Sequence, residues 1–311
     1  MKLLILVNQY IIYRKSLGEK FLKNESCLKH FCREIGENVN LTKIPKNKVN
    51  QFLYGNSPVT SNWFFKYSVL SGFYHYVISR GYINYSPLPL LLPTRPPPFV
   101  PYIYSREELR RIFKAALIKQ KRDVEPYVVY IILILLYGTG LRLSELLSLT
   151  MNDVDISQSI ITVHQTKFCK TRFVPFGKQL AKILKAYSVW RNNYGDKNNL
   201  TSPFVINKNG NLISIHHMEV IFKKIRKIAN IYRMDNARYQ PRLHDLRHTF
   251  AVHRLISWYK KDKNVQALLP ILSTYLGHTC IADTSIYLTM TTDLLNEAGI
   301  RFEKYATGGV K

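Results

Sequence analysis

The chain has 311 residues, with 45 Lys and Arg against 20 Asp and Glu, a formal charge of +25. Hydrophobic residues make up 46%, enough to build buried cores, so a disordered basic tail is excluded. At roughly 150 residues per domain the length suggests about two domains. The charge argues against an acidic or neutral metabolic enzyme and for a polyanionic partner, of which nucleic acid is the obvious one.

In chain order, the apolar run at 3–7 is too short for a signal peptide and is followed by no small-residue cleavage site. Residues 10–31 and 61–80 carry apolar side chains at helical spacing, the second run with Trp63, Phe64, Tyr67, Phe73 and Tyr76, so a small helical bundle is expected before the first break. Cys27 and Cys32 flank His30, but the spacing matches no zinc pattern and no metal is expected there. With Cys169 and Cys280 the cysteines are too few and scattered for a disulfide framework, which fits a reducing cytoplasm.

The break is proline-rich: residues 86–101 (SPLPLLLPTRPPPFVP) can sustain neither a helix nor a central strand. This gives a helical domain at 1–95, a linker at 96–104 and a second domain at 105–311. Residues 1–98 hold 13 Lys and Arg against 4 Asp and Glu, a net +9, and the remainder 32 against 16, a net +16. Both lobes are therefore basic, and two basic lobes on a linker could enclose a duplex from opposite sides.

Past the linker, Ser105 and Glu108 fit a capping box for a helix whose face carries Leu109, Ile112 and Phe113. Residues 127–137 (YVVYIILILLY) read as a helix buried on all sides, since a bilayer span needs about 20 apolar residues. Gly138, Thr139 and Gly140 break it, and a second helix is expected at about 142–149. Two β-branched, alternating strands follow at 160–164 and 172–176, joined by a polar, basic tip at 165–171. The rest, to about residue 305, reads as helix. The fold class is mainly α with a small β-hairpin or sheet in the second domain, that is α+β.

Five places could carry chemistry. Arg142 follows the glycine break at a helix start, where its guanidinium and backbone N–H groups could hold an anion, and Glu145 shares its face; alone, the pair is equally a surface salt bridge. Lys167 lies at the hairpin tip beside Lys170 and Arg172, a set that by itself signals only phosphate affinity. His244 and Arg247 stand three apart on a helix, an imidazole beside a fixed cation. Gly277 would end a helix in a left-handed turn and present His278. Tyr287 follows nine residues later, one of 21 tyrosines. Singly each has a bland alternative as a cap, a core residue or a solvated charge. Together they are a kit for metal-free phosphoryl transfer: arginines on the non-bridging oxygens, imidazoles and an ammonium to move protons, and a hydroxyl to attack.

In order and local sequence these pieces resemble the tyrosine recombinases, the phage integrases and chromosome-dimer resolvases. The resemblance is carried by TGLRLSELLSL around Arg142, the strand–Lys167–strand segment ending in RFVPF, HDLRHTFA from His244, and LGHTCIADTSIYL through His278 and Tyr287. It covers most of residues 100–305. It implies that Arg142 and Arg247 bind the phosphate, Lys167 (or Lys170, on the same tip) is the general acid, His244 the general acid/base, His278 a second phosphate contact, Tyr287 the nucleophile and Glu145 an orienting acid. It implies a core-binding domain at 1–95 that clamps double-stranded DNA with the catalytic domain, no cofactor, and a homotetramer on two DNAs linked by C-terminal helices. Residues 293–305 accordingly either pack on their own domain or dock on a neighbour, with Leu294, Leu295, Ala298 and Phe302 on one helical side. The purpose would be integration or excision of a mobile element. A type IB topoisomerase and a non-catalytic regulator derived from a recombinase remain alternatives; a metal-dependent nuclease lacks the clustered carboxylates.

Overall fold

A computed structural model describes residues 1–55, 59–96, 99–118, 124–164, 171–194, 199–235, 237 and 239–306, with the backbone alone at 304 and 305. The chain separates into two compact units, Met1–Phe99 and Val100–Lys311. Among the described residues no helix is long and apolar enough to cross a membrane.

The first unit contains α1 (Leu3–Ser16), α2 (Leu22–Ile35), α3 (Lys46–Tyr54) and α4 (Ser61–Ser79). The helical spacing across 10–31 is shared by two helices, because the chain turns between them with Gly18 at φ +82° and Phe21 at +47°. Leu3, Leu6 and Val7 of α1, Leu28, Phe31 and Cys32 of α2, Phe52 of α3 and Trp63, Phe73 and Tyr74 of α4 form one core. Burial pushes the Cys32 thiol up to about 12 and the Cys27 thiol to about 11, so both are inert as thiols.

The second unit begins at α5 (Arg106–Ala116), capped as its sequence predicts: Glu108 N–H donates to Ser105 Oγ and Ser105 N–H to Glu108 Oε2. Helix α6 (Pro126–Thr139) buries Val128, Val129, Ile131, Ile132, Leu133, Leu135 and Leu136, which point to all sides of it. At about 1.5–3 kcal/mol for each large apolar side chain buried, α6 is the main strut of this unit. Helix α7 (Leu143–Leu147) is shorter than its sequence suggests. A two-residue strand β1 (Val154–Asp155), invisible to periodicity at that length, joins β2 (Ile160–Val163) and β3 (Arg172–Pro175) in an antiparallel sheet of order β1-β2-β3. The register pairs Ile161 with Val174 and Val163 with Arg172. The tip that joins β2 to β3, with Lys167 and Lys170, lies outside the described residues.

The remaining helices are α8 (Lys178–Arg191), α9 (Ile215–Ile228), α10 (Asp245–Lys260), α11 (Val265–Leu276), α12 (Ala282–Ser285) and α13 (Thr292–Ala306), with a 3₁₀ turn at Ile286–Thr289. Residues of α10, α11, the 3₁₀ turn and α13 form a second core around Phe250, Leu255, Leu276, Tyr287 and Leu294. Helix α13 lies along α10 of its own chain, held by Leu294 and by the pairs Lys260–Glu297 and Arg301–Asp262. The apolar stripe expected on α13 divides: Leu294 is buried and Ala298 half-buried, while Leu295 and Phe302 (69%) are exposed.

Candidate active site

The site starts from two helix ends that only glycine permits. Gly140 closes α6 at φ +65°, and a Cβ there would meet Phe250 Cδ1 at 2.6 Å. Gly277 closes α11 at φ +69°, and a Cβ there would meet Arg172 Nη1 at 2.7 Å. Left-handed caps leave the last carbonyls of each helix free, at the negative end of its dipole. Arginines fill them. Arg247 donates from Nη1 to the Gly140 carbonyl and from Nη2 to that of Leu276, both at 2.6 Å. Arg142 donates from Nη2 to the Gly277 carbonyl at 3.2 Å.

Arg142 is the extended residue just before α7, and Glu145 sits one turn inside it. The Glu145 carboxylate accepts the Arg142 backbone N–H at 2.9 Å and its Nη1 at 2.7 Å. It also accepts Arg172 through two contacts, 3.1 and 2.8 Å. Burial pushes the Glu145 carboxyl up, but its bonds to Arg172 and Arg142 outweigh this and hold it at about 2. A carboxylate between two cations is thus fixed in its charged form.

Arg172 is a correction to the sequence reading, which grouped it with the basic tip. It is 8% exposed and points inward, because its register on β3 sets it on the covered face of the strand. Its Nε donates to the Tyr275 carbonyl at 3.0 Å and its guanidinium lies against the Cα of Gly277. It therefore ties β3 to α7 and to the end of α11.

Beside the arginines stand three imidazoles and a phenol. His244 is the residue before α10, and the buried Asp245 carboxylate at the first position of that helix accepts the Arg242 backbone N–H at 2.8 Å. His248 lies one turn on, edge to face with His244 at 5.0 Å between centroids. His278 follows Gly277, its Nδ1 2.7 Å from the buried Thr284 hydroxyl, and its ring stacks on Tyr287 at 6.1 Å. Tyr287, in the 3₁₀ turn, is 1% exposed, with its hydroxyl 3.0 Å from His248 Nδ1. Burial, then neighbouring Arg247 and Arg142, lowers His278 to about 4. Burial, then His244 and Arg247, lowers His248 to about 3. His244 moves the same way, through loss of hydration and then Arg247. Each shift favours the neutral imidazole. Burial raises the Tyr287 phenol, and Arg247 and Arg142 offset part of that rise. Arg247, itself buried, is brought down to about 10 by that burial and by Arg142, and keeps its charge.

Arg142, Glu145, His244, Arg247, His278 and Tyr287, spread over 146 positions of sequence, are therefore gathered at the ends of α6, α10 and α11 and the turn before α13. Lys167 and Lys170 lie outside the described residues. Sequence reasoning missed His248 and Thr284 and gave Arg172 only a phosphate affinity. His248 had a signal, its four-residue spacing from His244 on one helical face; the other two depend on packing. Among the described residues no group of three or more His, Cys, Asp or Glu is placed to hold a metal ion.

The sequence model of the Phage integrase family matches residues 104–293, from the residue before the α5 cap to the first turn of α13. This chain belongs to the phage integrase family, the tyrosine recombinases. A putative integrase/recombinase of Sinorhizobium fredii, y4rB, is 31% identical over 96% of this chain and 96% of its own length. A tyrosine recombinase XerC of Pediococcus pentosaceus is 27% identical over 98% of each. Among solved structures, the Tn1549 transposon integrase in complex with transposon right end DNA superposes with a TM-score of 0.71 at 16% identity, covering 98% of this chain and 100% of that one. A lambda integrase dimer bound to a COC′ core site gives 0.67 at 16%, over 94% and 97%. The last two establish a shared fold; membership rests on the sequence matches. In this cluster the arginines and Glu145 are the charged members, and the imidazoles, lowered by burial and by the nearby cations, are the neutral ones.

Proposed function

We propose that this tyrosine recombinase cleaves and rejoins double-stranded DNA at specific sites through a 3′-phosphotyrosyl link on Tyr287. The observation that carries the reading is the Tyr287 hydroxyl, set beside neutral imidazoles and close enough to Arg142 and Arg247 to feel their charge. Arg142 and Arg247 neutralise the non-bridging oxygens of the scissile phosphate, with Glu145 and the helix-end carbonyls holding their forks in place. The Arg142 side chain, 35% exposed, meets the incoming strand first. His278 adds a contact to the phosphate, oriented by Thr284. His244 serves as general acid/base at the rim and Lys167 as the acid that protonates the departing 5′ oxygen. Tyr287 attacks in line, the 5′-hydroxyl leaves, and a 5′-hydroxyl of a partner duplex reverses the step. The ester retains the energy of the broken bond, so no nucleotide cofactor is required.

The helical unit at 1–95 would be the core-binding domain, and its net positive charge and that of 105–311, joined by 96–104, support a clamp around the duplex. DNA complexes among the fold relatives support the same partner. A homotetramer on two DNAs fits α13, whose exposed Leu295 and Phe302, seven residues apart on one face, offer apolar side chains to a second copy once Leu294 and the two ion pairs release it from α10. Integration or excision of a mobile element is the reading we favour for the purpose, in the cytoplasm.

The test is trapping. Tyr287→Phe should bind a duplex, selected from a random-sequence library by this variant itself, as tightly as the unaltered chain does, and form no covalent adduct with it. An adduct that persists in the variant removes Tyr287 from the role.

A further inference from the structure

His248 has no part in the mechanism above, yet its ring is the one in hydrogen-bond contact with the attacking oxygen. Its Nδ1 lies 3.0 Å from the Tyr287 hydroxyl, with ring centroids 5.6 Å apart and planes at 57°. That is hydrogen-bond distance, and with the hydrogen on Nε2 the Nδ1 lone pair accepts from the phenol. The alternatives fail on position or on chemistry. His278 presents a stacked face to the phenol, 30° between planes, and its Nδ1 is engaged by Thr284. His244 is one ring further out, against His248, and among the described residues makes no hydrogen bond to Tyr287. Arg142 and Arg247 have no acceptor atom.

We propose that His248 is the base that takes the Tyr287 proton during strand cleavage and returns it during rejoining. The inference rests on Tyr287 being the nucleophile. As the phenol oxygen bonds to phosphorus, its proton passes to His248 Nδ1. The bond from phosphorus to the 5′ oxygen breaks, and that oxygen takes a proton from the general acid of the hairpin. In rejoining, the 5′-hydroxyl gives its proton back to that acid, and the phenol oxygen, now the leaving group, recovers its own from His248. The required tautomer carries its hydrogen on Nε2.

The surroundings supply a gate. The groups facing His248 are Arg242 and His244 before α10, Arg247 on α10, His278 after α11 and Tyr287 in the 3₁₀ turn. Burial first, and then these neighbours, none of them a carboxylate, leave the imidazole neutral and a poor proton acceptor without DNA, while burial holds the phenol protonated. A phosphodiester anion among Arg142, Arg247 and His278 offsets that positive field and raises the basicity of His248 when the nucleophile is needed. The same ring then keeps the nucleophile in hand and inactive off DNA.

The experiment measures single-turnover adduct formation on a nicked form of the library-selected duplex, with the scissile position read from the DNA end joined to the unaltered protein. Two substrates are used, one with oxygen and one with sulfur at the 5′ bridging position. His248→Ala and His248→Asn are compared with the unaltered chain from pH 6 to 10, after melting and DNA binding are matched. A general base contributes about 10²–10⁴-fold, so both variants should lose at least ~100-fold at pH 7. The loss should shrink as the pH approaches the phenol's own range, and a sulfur leaving group, which needs no acid, should not repair it. Added imidazole should accelerate His248→Ala but not His248→Asn. Losses below about threefold, a deficit that is the same at every pH, or a variant faster than the unaltered chain each overturn the assignment. The nucleophile reading is judged separately: if Tyr287→Phe forms no adduct while the His248 variants cleave normally, only the role of His248 falls.

Discussion

Three guanidiniums of the site, those of Arg142, Arg172 and Arg247, commit their donors to helix-end carbonyls and to one carboxylate, whereas the rings facing them are held by a single hydroxyl contact each or by stacking. The arginine half is charged and braced before any substrate arrives. The ring half is neutral, because burial and the nearby cations disfavour protonation of its imidazoles. The two groups are intermixed: after burial, Arg247 acts on His248, His278 and the Tyr287 phenol alike, so the cations that brace the cluster also help to set the protonation of its rings.

That contrast can be broken at its strongest point first. Glu145→Ala leaves Arg172 buried without its carboxylate; removing one partner of a buried pair costs ~3–5 kcal/mol, which the urea midpoint of the second unit should report. Arg247→Lys keeps the charge but loses the fork between the Gly140 and Leu276 carbonyls. Single-turnover cleavage should drop on the order of 10²–10³-fold, with DNA binding much less affected. Gly277→Ala forces a left-handed residue against Arg172, which should lower stability by about 1–2 kcal/mol in thermal melts.

Acid should take the two halves apart in sequence. His248 and His278 are lowered from 6.5 to about 3 and about 4, so below pH 6.5 the unfolded chain binds protons that the folded chain does not. Their contribution is present above 6.5 and is lost as pH falls through 4 and 3. Glu145, lowered from 4.5 to about 2, contributes fully above 4.5 and loses its share only from there down to 2. A denaturation series from pH 8 to 3 should therefore slope first through the histidine window, and Glu145→Ala should flatten only the more acidic part. The smallest effect expected is that of Thr284→Val, which frees His278 Nδ1: roughly 0.5–1.5 kcal/mol for one hydrogen bond, with a modest loss of cleavage.

Much of this was legible in residue order. The glycine before Arg142, the His-x-x-Arg spacing and the glycine before His278 each encode a local event, a left-handed cap or a shared helix face, and local events follow from the residues that make them. Arg172 was misread for a different reason. Its type and its neighbours look like a phosphate-binding tip, and only the pairing of Val163 with Arg172 decides that it faces inward. His248 shares a helix face with His244, yet nothing in the spacing tells which of the two rings meets the tyrosine, since that depends on where the 3₁₀ turn crosses α10. The division of the α13 stripe was equally hidden, because periodicity names a face without naming what covers it.

Sequence by itself determined the basic charge in both units, the glycine-closed ends of α6 and α11, the β2–β3 pair and the family, because composition, caps and motifs are properties of neighbours along the chain. Tertiary structure alone decided that Arg172 is a brace, that Glu145 serves two arginines, and that the phenol of Tyr287 rests against His248 instead of His244. Those are facts about residues tens of positions apart, and only the packing of α6, α10 and α11 brings their side chains within hydrogen-bond reach.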